Sequence, residues 1–182
     1  KWVKIPAGSF SMWPREDEKP DTPAHVVSVK AFLMSETQVT VGQYRKCVGA
    51  GRCAEPRLPP YCEGSTWSDT PADQEDHPVN CVNWGDARTF AAWAGGDLPT
   101  EAQWEYAARA GGAEPPEELS TLETMLLSQT NPRSTRPVKG EAPNAYGLYN
   151  MIGRMGDWTL DERRRKGERG PHEAEQPWGK AE

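Results

Sequence analysis

The sequence is short of long apolar runs, of positive charge and of histidine, and each shortage removes a class of function. Among its 182 residues no apolar run approaches the roughly 18–20 residues of a membrane-spanning helix. Lys and Arg number 21 against 27 Asp and Glu, a net charge of −6. The basic face that marks nucleic-acid binders is therefore missing. The three histidines, His25, His77 and His172, stand far apart, with no i,i+3 or i,i+4 pair. Each reads as a surface or hydrogen-bonded structural residue. No Gly-x-Ser-x-Gly, phosphate loop or nucleophile–base motif is present. No C-x-x-C pair occurs either, which excludes paired zinc templates and a thioredoxin-like redox site.

What is present is turn chemistry and tryptophan. Seventeen glycines and seventeen prolines predict a fold of loops and turns rather than a helical bundle. Eight tryptophans argue against disorder along the whole chain, and the length fits one ordinary domain. The four cysteines, Cys47, Cys53, Cys62 and Cys81, are separated by five, eight and eighteen residues in the first half. They read as two disulfides closing loops, with free buried thiols as the alternative. Of three possible connectivities, Cys47–Cys53 with Cys62–Cys81 is preferred, because Gly49 and Gly51 let the first short loop close on itself. An oxidising compartment follows, and with it export. The chain opens on Lys1 inside strand-like sequence, as expected of a processed or trimmed start, so the compartment rests on the cysteines alone.

Patterning predicts short elements. Trp2 to Met12 reads as strand, turn, strand, with Pro6-Ala7-Gly8 as the turn; Trp13 to Thr22 reads as a loop. His25 to Lys30 alternates valine with polar residues, the period of a half-buried strand. Three helices are announced by caps. Thr40 and Gln43 form a capping box before Tyr44 to Ala50; Asn83 caps Trp84 to Ala94; Thr100 and Gln103 form a second box leading to Gly111-Gly112. Trp84, Trp93, Trp104 and Tyr106 fall at helical spacings and read as core. Glu101, Glu105 and Arg109 read as a solvated i,i+4 charge ladder. One further short helix is expected near Leu119 to Leu127. Asp161 to Glu182 holds six acidic and six basic residues, with only Ala174, Trp178 and Ala181 apolar. Ordered structure is expected to end near Asp161, with Trp158 buried as its last anchor.

Five ordered blocks carry a family resemblance. They are Ile5 to Met12, Glu36 to Tyr44, Pro78 to Ala87, Leu98 to Arg109 and Pro143 to Met151. Together they resemble the formylglycine-generating enzyme (sulfatase-modifying factor) domain family. The resemblance implies an α+β fold, C-type-lectin-like, with short strands, three short helices and extensive irregular structure. It also implies one domain over residues 1–160, C-terminally incomplete, beyond which composition gives a charged tail over 161–182.

The family's enzymes oxidise a substrate cysteine to formylglycine, with copper on two cysteines near their C-terminal end, beyond a Gly-Gly-Ser-Trp-like motif. Here the last cysteine is Cys81 and no such motif follows. A thiolate pair is the soft ligand set for Cu(I), so no copper site is expected and no catalytic residue is assigned. A related branch of iron enzymes needs clustered histidines, which are lacking. The metal that the resemblance does imply is structural calcium. Asn131, the Pro132 carbonyl, Asn144 and the Tyr146 carbonyl match the family's oxygen ligands. Asn144 stands where an aspartate is usual, which lowers the charge; a plain asparagine turn is the alternative. A second family site maps onto Gly153 to Trp158, where Arg154 replaces a ligand and repels a cation.

Three functions remain open. One is a non-catalytic, exported recognition domain presenting loops to a protein or glycan ligand. Another is a fragment of a copper-dependent formylglycine-generating oxidase. The third is a retroelement-diversified binding protein on the same scaffold. No nucleic-acid partner is expected.

Overall fold

The computed structural model describes residues 1–12, 25–56, 62, 64–67, 74–112, 135–151 and 155–161. Four strands form first: β1 (Trp2–Ile5), β2 (Gly8–Met12), β3 (His25–Val29) and β4 (Phe32–Ser35). The expected turn at Pro6-Ala7-Gly8 does not fold β2 back onto β1. Instead β1 pairs antiparallel with β4 and β2 with β3. The register runs through both pairs without a slip, from Trp2 opposite Ser35 to Ile5 opposite Phe32, then from Gly8 opposite Val29 to Met12 opposite His25. The two sheets are thus one long ribbon interrupted at Pro6-Ala7 and Lys30-Ala31. Proline has no N–H to donate to the ladder, which accounts for a break at that point. Strand β4, a nearly continuous apolar run with no period-two signal, is the element that sequence patterning does not reveal.

The caps behave as their sequences direct. Helix α1 (Val41–Gly49) and helix α3 (Glu101–Ala108) both start on complete capping boxes, Thr40 with Gln43 and Thr100 with Gln103. Helix α2 (Trp84–Trp93) starts on Asn83, whose side chain accepts from Asp86 N at 2.9 Å. Each capping side chain satisfies an amide that the helix leaves unpaired. Each helix also ends within a residue or two of the expected stop.

Two apolar clusters result. The first joins Ile5, Phe10, Met12 and Val29 of the ribbon to Tyr106 and Ala107 of α3 and to Leu148. Alternation puts Phe10 and Met12 on one face, and Gly8 lets the Tyr106 hydroxyl come against the strand backbone, where a Cβ would overlap it. The charge-ladder reading fails at Arg109. That residue is buried, pairs with Glu105, donates to the Ser11 carbonyl at 2.9 Å and lies 5.4 Å from the Phe10 ring. A guanidinium there ties α3 to the end of β2, and charged groups of this kind are tolerated inside only when paired.

The second cluster joins Val41, Tyr44 and Cys47 of α1 to Phe90 of α2, with Cys53 and Trp67. Tyr44 stacks on Phe90 at 5.5 Å and meets Trp67 edge-on at 6.1 Å. Disulfides Cys47–Cys53 and Cys62–Cys81 brace this side, in the preferred pairing. The expected helix near 119–127 and the residues after Asp161 lie outside the described residues. Among the described residues no helix is long and apolar enough to cross a membrane. The architecture is α+β, as expected.

Candidate functional site: an aromatic-walled cavity

Between the ribbon, α2, α3, Met151 and the segment 155–160 opens a cavity of about 910 Å³. Its walls correct the reading of the helical tryptophans as core. Tyr106 is buried, but Trp84 and Trp104 are only half-buried and Trp93 is 41% exposed. Trp104 and Trp93 line the cavity, together with Trp2 and Trp158. Trp158 is likewise not buried: it is 49% exposed. The described residues include five exposed large apolar side chains, and all but Val26 stand on this cavity. Helical spacing puts residues on one face but cannot say whether that face is covered. The sequence held no signal for that.

Three tryptophan N–H groups bind the irregular segment 157–161 to the helices. Trp84 Nε1 donates to the Thr159 carbonyl at 2.7 Å, and Trp158 Nε1 to the Val82 carbonyl at 3.0 Å. Trp104 Nε1 donates to Asp157 Oδ2 at 3.0 Å. Leu160 N reaches the Pro99 carbonyl at 2.8 Å, and Asp161 accepts from the backbone N–H of Glu101 at the start of α3. An aspartate there also suits the positive end of the helix dipole. These polar ties, not burial of Trp158, hold the segment.

Asp157 is the charged group inside the cavity wall. Its Oδ1 accepts from Gln38 Nε2 at 2.9 Å and its Oδ2 from Trp104. Asp157 is an exposed residue on the cavity wall. Desolvation by the neighbouring protein raises its pKa, against the two hydrogen bonds, which lower it. Elsewhere on the rim, Arg88 Nε and Nη2 donate to Asp97 at 3.1 and 3.2 Å, and Lys1 pairs with Glu36 at 3.0 Å.

Of the positions expected to hold calcium, Asn144 and Tyr146 are among the described residues. Asn131 and Pro132 lie outside the described residues. Asn144 is built into a turn: its Oδ1 accepts from Tyr146 N at 3.0 Å and Leu148 N at 3.1 Å. Its Nδ2 donates to the Ala107 and Ala108 carbonyls at the end of α3. In this arrangement Asn144 caps α3 and fixes Leu148 in the first cluster. Tyr146 follows in the same turn, its hydroxyl 3.3 Å from that of Tyr106; burial first, then that contact, push its pKa up to about 12. Of the second mapped site, Gly153 and Arg154 are outside the described residues. Cys47, Cys53, Cys62 and Cys81 are all in disulfides, so none of them supplies a thiolate for copper. His77 accepts or donates at Thr135 Oγ1 through Nδ1 at 2.7 Å, a structural tie.

Comparison with known proteins places this geometry. The formylglycine-generating enzyme of Bos taurus is 29% identical over 216 aligned residues, covering 88% of this chain and 58% of the relative. The chain thus spans under two thirds of that enzyme's length. Among solved structures, PvdO from Pseudomonas aeruginosa matches with a TM-score of 0.58 at 30% identity, over 82% of this chain and 66% of that one. Treponema denticola variable protein 1 matches with a TM-score of 0.59 at 23% identity, over 90% of this chain and 73% of that one, a likeness of fold alone. The family model described as the sulfatase-modifying factor enzyme 1-like domain matches residues 1–178, and the chain belongs to that family.

Proposed function

We propose that this chain acts by recognition, binding a protein or glycan ligand in the aromatic-walled cavity, and that as given it does not oxidise cysteine. The observation that carries this reading is convergence. Trp2, Trp93, Trp158 and Leu33, four exposed large apolar residues, meet on one concave surface, where most domains keep such groups apart. Rings of this kind offer contact area at low entropic cost to peptide side chains and sugar faces alike. All four cysteines are consumed in disulfides, which removes the thiolate chemistry. The same disulfides support an oxidising, exported setting.

The similarity to formylglycine-generating enzymes favours the oxidase fragment as the second reading. One experiment separates the two. The chain is incubated with copper and a Cys-x-Pro-x-Arg peptide and assayed for aldehyde by mass spectrometry, then screened on peptide and glycan arrays. No aldehyde, with array binding that Trp158→Ala abolishes, is the expected outcome. Aldehyde formation would establish the oxidase reading. Array binding that Trp158→Ala leaves intact would remove the cavity.

A further inference from the structure

We propose that Cys62–Cys81 is a redox-cleavable bond in the cavity wall: a small dithiol opens it while Cys47–Cys53 stays closed, and its opening releases the Cys81-Val82 backbone that holds Trp158. The cleavage itself does not depend on what the cavity takes. Its effect on ligand affinity rests on the reading of the cavity as the binding site.

Access separates the two disulfides. Cys47 and Cys53 are buried in the second cluster with Tyr44, Trp67 and Phe90. Cys62 and Cys81 are only half-buried, and Cys81 stands on the cavity wall. Thiol–disulfide exchange needs a thiolate to reach a sulfur, so the exposed pair reacts first. The reagent's thiolate attacks one sulfur of the pair, and the other leaves as a thiolate and takes up a proton. The reagent's second sulfur then closes on the first and releases the remaining cysteine as a thiol. The protein disulfide is reduced to two thiols, and the dithiol is oxidised to a cyclic disulfide.

The backbone at Cys81 gives the cleavage a consequence. Its φ is +61°, in the left-handed region, which a residue with a Cβ keeps only where its surroundings impose it. Neither Cys47 nor Cys53 has such a backbone. Before Cys81 the chain is fixed: Asn80 Nδ2 donates to the Gly64 carbonyl at 2.8 Å, and Asn80 Oδ1 accepts from Thr66 N at 2.7 Å. After it, Asn83 is fixed as the cap of α2. Cys62–Cys81 is the covalent tie between these two points. Once it is cut, Cys81 can leave the left-handed region while Asn80 and Asn83 keep their bonds. Val82 is the next residue, and its carbonyl accepts the Trp158 indole N–H at 3.0 Å. Turning the backbone at Cys81 moves that acceptor, and Trp158 loses its tie to the wall.

Dithiothreitol treatment of the full chain, with timed alkylation read by peptide mass spectrometry, tests the access. Cys62 and Cys81 should be labelled at least about tenfold faster than Cys47 and Cys53. Indole N–H signals of isotope-labelled protein test the consequence, with Trp158 assigned through Trp158→Phe. The Trp158 signal should shift as Cys62–Cys81 opens and return on reoxidation. The Cys62→Ser/Cys81→Ser pair should give the shifted position without reductant. The Cys62→Ser/Cys81→Gly pair, where a left-handed backbone carries no Cβ penalty, should stay near the oxidised position. If these variants do not fold, labelling order and the reversible shift on the unmodified protein decide. Labelling of all four cysteines at one rate, or selective labelling with an unmoved Trp158 signal, overturns the inference. If the signals behave as expected but no array ligand binds either form, the cleavable bond stands while the reading of the cavity as a binding site falls.

Discussion

The two apolar clusters solve the same packing problem by different means. Around Ile5, Phe10 and Leu148, two regular elements face each other, and side-chain alternation along β2 meets the inner face of α3. Apolar contact holds it, with hydrogen bonds from Arg109 and Asn144 at its edge, and among the described residues neither disulfide lies in it. Around Tyr44, Trp67 and Phe90, the described residues between α1 and α2 form no helix or named strand, and Cys47–Cys53 and Cys62–Cys81 fasten them. Where backbone geometry presents two matched faces, apolar area suffices. Where it does not, covalent closure limits the freedom of the unfolded chain instead.

The sharpest way to break the contrast is Leu148→Ala. Leu148 is fully buried in the first cluster and fixed by the Asn144 turn. Its truncation should cost about 2–5 kcal/mol, read from urea denaturation, and be felt equally in oxidised and reduced protein. If the loss is under about 1 kcal/mol, contact packing is not what holds that cluster.

Removing the disulfides comes next and should strike only the second cluster. From loop length alone, Cys62–Cys81, at a sequence separation of 19, is expected to contribute about 3 kcal/mol, and Cys47–Cys53, at a separation of 6, about 2 kcal/mol. Hydrogen exchange on reduced protein checks the location. Amides of α1 should lose protection while those of β2 and β3 keep theirs; uniform loss would show that the clusters are one cooperative unit.

The smallest effect is electrostatic, and it opposes the ribbon side to the cavity. Glu36 bridges Lys139 at 2.7 Å and Lys1 at 3.0 Å, and those ammonium groups lower its pKa. A lowered carboxyl pKa gives stability that is present above the unfolded value and lost as pH falls through the folded one. Asp157 has the opposite sign: its raised pKa gives stability below the unfolded value that is lost as pH rises through the folded one. Melting curves across the acid range should therefore flatten at their low-pH end in Glu36→Gln. In Asp157→Asn, the loss that begins above the ordinary carboxylate range should disappear. Parallel curves for all three proteins would remove both assignments.

Much of this was legible in the residues themselves. Thr40, Asn83 and Thr100 fixed three helix starts because a cap is a local hydrogen bond between neighbours. Gly49 and Gly51 pointed to the short disulfide loop for the same reason. The ribbon was not legible, since pairing Ile5 with Phe32 joins residues far apart in sequence. Arg109 was misread because its i,i+4 spacing to Glu105 looks the same on a solvated face and a buried one.

The sequence by itself carried the three helices and their caps, the strands other than β4, a preferred cysteine pairing and the family, all through short-range chemistry or ordered motifs. Only the tertiary structure decided which faces were covered. Tyr106 and Trp104 lie two residues apart on α3, yet one is buried against the ribbon and the other lines an open cavity beside Asp157. Spacing sets the direction in which a side chain leaves its helix. Whether it meets protein or space depends on segments more than fifty residues away, and no local pattern contains that information.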